Sequence, residues 1–304
     1  MSPDARLSGA RIRDCLPYCE PFKARDDDYA RHIGNVGLLL EVMITTRSVK
    51  QLVHATPQLE GEGMIVTRPF PTARLDQFDP FLLLDRMGPV THGPGEARGA
   101  PDHPHRGFET VTYVLEGAIE HADSQGNHGR IGAGDVQWMT AGSGVIHSEM
   151  PSEEILRNGG RLHGFQLWVN LPRRDKMMNP RYQELRAAQI PSATSADGKV
   201  TVKIIAGQSL GTRAAIDTRT PIMYLHVTMA AGARFTQPIP EAYNAFAFII
   251  SGEAAFGDKL AGENDVLIFD ADGDEVAIAT ESGAELLLIG GVPFTSRWRA
   301  MARS

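Results

Sequence analysis

Cysteine is scarce in this chain of 304 residues: only Cys15 and Cys19 occur. Two thiols that close together near one end form no disulfide framework. They read as free thiols on a loose segment rather than as a metal or redox pair. With no signal-peptide pattern beside them, they predict a reducing cytosolic compartment, or the nucleus in a eukaryote. Long apolar runs are also missing. The longest, Val36 to Thr45, carries Glu41 and falls well short of the roughly 20 residues that span a bilayer. A membrane helix is thereby excluded. Excess positive charge is lacking too. The net charge of −7 argues against direct binding of nucleic acid, whose phosphates call for a basic face.

What is present is an ordinary globular composition, 42% hydrophobic and 22% charged, in a chain long enough for one large or two ordinary domains. Residues 1–47 show no sustained period and carry the run Asp26-Asp27-Asp28. They read as an N-terminal extension, partly disordered. From Val49 onward the pattern is that of strands. The segments 64–70, 81–87, 108–117, 135–141 and 162–171 are rich in β-branched, aromatic and large apolar residues between Gly, Pro, Asp or Asn. A second series follows at 200–207, 222–229, 244–252, 265–271, 275–280 and 284–291. Between the two, PRYQELRAAQI (180–190) is the one good helical pattern and predicts a short helix.

The two series echo each other. FETVTYVLEGAIEHADSQGNHGRIGAGDVQWM and NAFAFIISGEAAFGDKLAGENDVLIF share one order: strand, glycine, short strand, polar turn, Gly-rich bend, Asp-Val, strand. This weak internal repeat of short, evenly spaced strands predicts an all-β protein of two tandem jelly-roll barrels with a few short helices. The expected division is an extension at 1–47 and a first barrel at 48–178. A linker with a short helix at 179–199 and a second barrel at 200–304 complete it.

His103-Pro104-His105 and His147-Ser148-Glu149 carry the chemistry. Alternate residues of a strand share a face, so each pair aims two ligand types in one direction. Two such pairs on neighbouring strands bring three imidazoles and a carboxylate onto one metal ion, a set that suits iron, copper, nickel, manganese or zinc. Glu109 competes with Glu149 for the fourth position. Its parity matches that of His103 and His105 unless Arg106-Gly107 forms a bulge, whereas Glu149 needs no such condition. The favoured set is therefore His103, His105, His147 and Glu149, with Glu109 in support. One or two coordination positions remain for a small aromatic substrate and O₂. Phe108, Tyr113, Trp138, Met139, Phe165 and Trp168 are candidates for a flat pocket wall, each weighed against a place in the core. Arg106 is a candidate anchor for an anionic group. His121, His128, His163 and His226 read as ordinary surface or core histidines. Gly132-Ala133-Gly134 reads as a turn, and Ser143 lacks the spacing of a nucleophile elbow.

The blocks HPHRGFETVTYVLEG, DVQWMTAGSGVIHSEMP and LHGFQLWVNLP closely resemble the pirin family of the cupin superfamily, and the likeness runs from about Val49 to Pro293. The resemblance implies a bicupin with one metal, usually Fe(II), in its N-terminal barrel and no metal in the C-terminal one. It places the ligands on His103, His105, His147 and Glu149. It also implies a quercetin 2,3-dioxygenase activity, in which O₂ opens the central ring of a flavonol. Glu149, in this chemistry, also accepts the flavonol's proton as it loosens from the ion. The alternative the family offers is a metal- or redox-responsive coregulator that binds other proteins without turnover. The extension 1–47 and the short segment Phe294 to Ser304 depart from the family pattern.

Overall fold

The computed structural model describes residues 45–294. Cys15, Cys19 and most of the expected extension lie outside them. Twenty-four strands, one short helix (Glu153–Asn158) and one 3-10 turn (Ala187–Gln189) make up the described chain. Each half builds a seven-stranded sheet and a four-stranded sheet, the two walls of a jelly-roll barrel.

In the first half the large sheet runs, edge to edge, Arg181–Leu185, Val136–Thr140, Phe108–Glu116, Gly160–Asn170, Phe81–His92, Met64–Phe70 and Thr56–Glu60. The small sheet runs Ala100–His105, Val145–Pro151, Ala118–Asp123 and His128–Gly132. The second half repeats the plan. Its large sheet is Val49–His54, Asp265–Phe269, Asn244–Gly252, Ala284–Gly291, Ile222–Met229, Val200–Ala206 and Ser192–Thr194. Its small sheet is Arg234–Pro238, Glu275–Ala279, Ala254–Phe256 and Lys259–Ala261. The repeat read from the sequence is therefore a structural one. Its shared glycine has one physical cause in both halves. Gly117 and Gly252 have φ of 83° and 73°, and a Cβ at either would run into the backbone carbonyl of Arg161 or Gly283.

The strands alternate in two directions, and each direction has its own core. Val111, Tyr113, Trp138, Phe165 and Leu167 from the first large sheet join Tyr224, Phe246, Phe248, Leu287 and Ile289 from the second in one buried cluster. The two barrels thus stand back to back. Phe165 meets Phe248 edge-on at 5.2 Å between ring centroids. A second apolar cluster, with Ala245, Ala247, Leu267, Leu288, Phe256 and Ile278, fills the inside of the second barrel. Inside the first barrel the buried residues include Thr110, Thr112 and Gln137.

Two expectations are corrected. The segment 180–190 is not helical. Arg181–Leu185 is a strand that pairs antiparallel with Val136–Thr140, and only Ala187–Gln189 turns. A sheet edge that needs a partner outweighs a helix preference worth tenths of a kcal/mol per residue. The expected linker 179–199 is thus an edge of both large sheets, since Ser192–Thr194 closes the second. The boundary near residue 48 also moves. Val49–His54 pairs with Asp265–Phe269 in the second barrel's large sheet. Arg47, 3% exposed, donates to the backbone carbonyls of Gly273, Tyr243, Pro240 and Glu241. The described chain therefore begins in the second barrel and only then builds the first.

Candidate metal centre

His103 and His105 leave one face of the strand Ala100–His105, and that strand pairs antiparallel with Val145–Pro151 so that His147 stands directly opposite His103. The three rings converge inside the first barrel. Their centroids lie 4.6 Å (103–105), 4.5 Å (103–147) and 4.9 Å (105–147) apart. One nitrogen from each falls within 4.8 Å of the other two. His103 Nε2 and His105 Nε2 are 3.0 Å apart. Two nitrogens each about 2.1 Å from one ion and at right angles around it stand ~3.0 Å apart, so this pair already has the spacing of adjacent ligands.

The electrostatics agree. His147 is completely buried, and neither of its ring nitrogens has a hydrogen-bond partner among the described residues, a costly state unless an ion takes one of them. Burial, followed by repulsion from His147 and His103, pushes the His105 pKa down to about 3. Burial also lowers that of His147. Both rings are thus kept neutral, the form that binds metal. The Nδ1 of His103 lies 2.7 Å from the carbonyl oxygen of Pro101. A bond from Nδ1–H to that oxygen leaves the Nε2 lone pair free to point at the ion.

Of the four favoured ligands, the structure gathers the three histidines. Glu149 stands beside them but outside the cluster. Its Oε1 accepts from Thr112 Oγ1 at 2.7 Å and its Oε2 from Gln166 Nε2 at 2.9 Å. Glu149 keeps the face of His147, because their strand pairs in unbroken register with Ala118–Asp123; these two hydrogen bonds are what hold its carboxylate away from the imidazoles. Glu109 points the other way. The strand ends at His105, and Gly107, with φ of 78°, resets the parity before Phe108. The Glu109 carboxyl is fully buried and accepts from Thr140 Oγ1 at 2.7 Å. Its burial raises its pKa.

Of the proposed pocket wall, only Phe108 and Trp168 reach the site. Their ring centroids are 5.1 and 5.0 Å from that of His105. Tyr113, Trp138 and Phe165 belong to the core between the barrels, and Met139 packs with Ala141 and Val145. Arg106 meets the sulfur of Met177. His128 is exposed. His163 and His226 sit between the barrels, His163 on Arg86 Nε and His226 between the Tyr113 hydroxyl and Glu285. His121 lies nearer the centre than its sequence context suggests. It opposes Glu149 across the sheet and bonds Glu184 at 2.8 Å. Thr112 and Gln166 were not singled out by sequence reasoning. Their signal was a polar residue at alternate positions of strands otherwise apolar, in FETVTYV and GFQLW.

Two back-to-back jelly rolls, one of them holding a triad of converging imidazoles, define a bicupin with a candidate metal centre. The chain belongs to the pirin family. The Pirin family model matches residues 63–169, and the model of the Pirin C-terminal cupin domain matches 224–300. A pirin-like protein of Solanum lycopersicum is 46% identical over 251 residues, 81% of this chain and 82% of that one. Pirin of Homo sapiens is 40% identical over 257 residues, 83% and 84% of the two chains. Among solved structures, a quercetin 2,3-dioxygenase from Acinetobacter baumannii superimposes with a TM-score of 0.80 at 32% identity, covering 85% of this chain and 91% of that one. The bacterial pirin YhhW of Escherichia coli, in complex with nickel(II), shares the fold with a TM-score of 0.61 at 22% identity, over 80% and 98% of the chains.

Proposed function

We propose that this protein is a metal-dependent dioxygenase that opens the central ring of a flavonol such as quercetin with O₂. The observation that carries this reading is the convergence of three imidazoles, those of His105 and His147 buried, in a chain similar to a quercetin 2,3-dioxygenase. His103, His105 and His147 hold the ion, with Glu149 as fourth ligand, and Fe(II) is the metal the resemblance favours. Such an ion supplies a Lewis acid that favours the anionic form of a bound hydroxyl, with an open position for O₂. The reaction takes place in a cytosolic protein. Among the described residues, no helix is long and apolar enough to cross a membrane.

Glu149 accepts the hydroxyl proton at Oε1, and its surroundings support that role. Three contacts close a ring. Thr112 Oγ1 lies 2.7 Å from both Glu149 Oε1 and Gln166 Oε1, and Gln166 Nε2 lies 2.9 Å from Glu149 Oε2. With Glu149 ionised, only the Thr112 hydroxyl and one amide N–H of Gln166 have hydrogens to offer, two for three contacts. Turning the amide over leaves the count the same. One proton on Glu149 completes the ring: Glu149 donates to Thr112, Thr112 to Gln166, and Gln166 to Glu149. Phe108 and Trp168 give the flat substrate an apolar wall beside His105.

Fe(II)-loaded protein is expected to consume O₂ and bleach the long-wavelength absorbance of quercetin, and His147→Ala to abolish both. Equal bleaching by the variant and the parent refutes the enzyme reading. The coregulator reading rests on the second barrel, which carries no comparable donor set among its described residues. It requires protein partners, captured by pull-down, that differ between the Fe(II) and Fe(III) forms.

A further inference from the structure

The indole Nε1 of Trp168 is buried and has no acceptor among the described residues. A buried N–H without a partner is uncommon, and it is stable where a water or a ligand supplies the acceptor. Three other aromatic donors lack a partner among the described residues: Trp138 Nε1 and the Tyr224 hydroxyl lie in the core between the barrels, and the Tyr182 hydroxyl belongs to a ring stacked on His121. Trp168 differs in its place. Its ring packs across His105 at 5.0 Å and against Phe108 at 4.6 Å. It stands two residues along the same strand face from Gln166, which holds Glu149, and it opposes Thr110. The residue as a whole is only partly buried, so part of its surface is accessible. At the matching register position the second barrel has Gly290, which faces Ala245 as Trp168 faces Thr110.

We propose that the Trp168 indole N–H is a specificity-determining donor, which selects aromatic ligands that carry a carbonyl oxygen next to the oxygen bound at the triad. The inference rests on the flavonol reading and deepens it. A flavonol has this pair of oxygens, the enolic hydroxyl and the adjacent ring ketone. With the first at the triad, the second is the acceptor that the indole lacks. A site built around a buried donor rejects a ligand without the acceptor, because the donor is then desolvated and unpaired.

The test uses full-length protein loaded with Zn(II), which is redox-silent and gives no turnover. Quercetin binding is followed by its absorbance shift. Trp168→Phe keeps a ring against His105 and removes only the donor. It is expected to bind quercetin about tenfold more weakly than the parent. Its affinity for a flavan-3-ol, which lacks the ring ketone, is expected to rise above the parent's, because no donor is left unpaired. In unmutated ¹⁵N-labelled protein, one of the three indole resonances (the chain has three tryptophans) moves downfield with quercetin. The variant identifies it by its absence. If the variant folds poorly, the resonance shift in the parent still decides. Equal quercetin affinity in parent and variant, or indole resonances that do not move while quercetin binds, overturns the proposal and leaves the flavonol reading standing. A parent protein that binds no quercetin overturns both.

Discussion

Inside the first barrel, the large sheet presents Thr110, Thr112, Gln137, Gln166 and Trp168. At the positions matched by strand pairing, the second barrel presents Ala245, Ala247, Leu267, Leu288 and Gly290. The backbone plan is the same and the chemistry is opposite. Polar groups facing inward orient a carboxylate beside three imidazoles in one barrel, whereas in the other small and aliphatic groups close the space into a dry core. The ends differ as well. In the first barrel Gly107 bonds directly to Gly142, joining the segments that follow the histidine pair and precede His147. In the second barrel the corresponding segments are tied by a side chain, Arg47, whose guanidinium spans the carbonyls of residues 240, 241, 243 and 273. Function in this fold is thus a property of one sheet face and its rim.

Three experiments break or sharpen that contrast. The largest effect is expected from Arg47→Ala, which leaves four carbonyls of the second barrel without their buried donor. A loss of about 2–4 kcal/mol in denaturant unfolding is expected, with metal content at 20 °C unchanged because the triad lies in the other barrel. Unchanged stability shows that the guanidinium is not what ties those segments. Next comes the conversion of the first barrel toward the second, Thr112→Ala with Gln166→Leu. Metal affinity or oxygen uptake falls by roughly 10- to 100-fold, the usual cost of removing groups that orient a ligand, while the melting temperature shifts little. Activity equal to the parent's removes Thr112 and Gln166 from the working site.

The smallest effect concerns the seam between the barrels. Burial, with Arg86 adding repulsion, holds the His163 pKa down to about 4, against an ordinary value near ~6.5. Between those values the unfolded chain binds a proton that the folded chain refuses. His163 therefore contributes stability that is present above pH ~6.5 and is lost as the pH falls toward 4. Melting temperatures measured across this window are expected to fall less steeply in His163→Gln than in the parent. Parallel curves show that His163 is not responsible.

Much of the site was legible in short segments. The alternation in His103-Pro104-His105 put two imidazoles on one face, and the apolar periods outlined both barrels. Other features were not legible, for one recurrent reason. Where the Glu149 carboxylate settles depends on its holders Thr112 and Gln166, which come from two strands of the opposite sheet. Tyr113, Trp138 and Phe165 look like pocket residues until the second barrel is seen to cover them. Arg181–Leu185 has a helical pattern and becomes a strand because Val136–Thr140 lacks a neighbour on that side.

By itself, the sequence determined which side chains share a face, since a strand's period of two is local and steric. Only the tertiary structure decided which faces meet, which edges are filled and by which segment, down to Val49–His54 joining the far barrel. Those choices are made by hydrogen bonds and buried area between residues more than two hundred positions apart, and a one-residue change of register redirects every side chain on a strand.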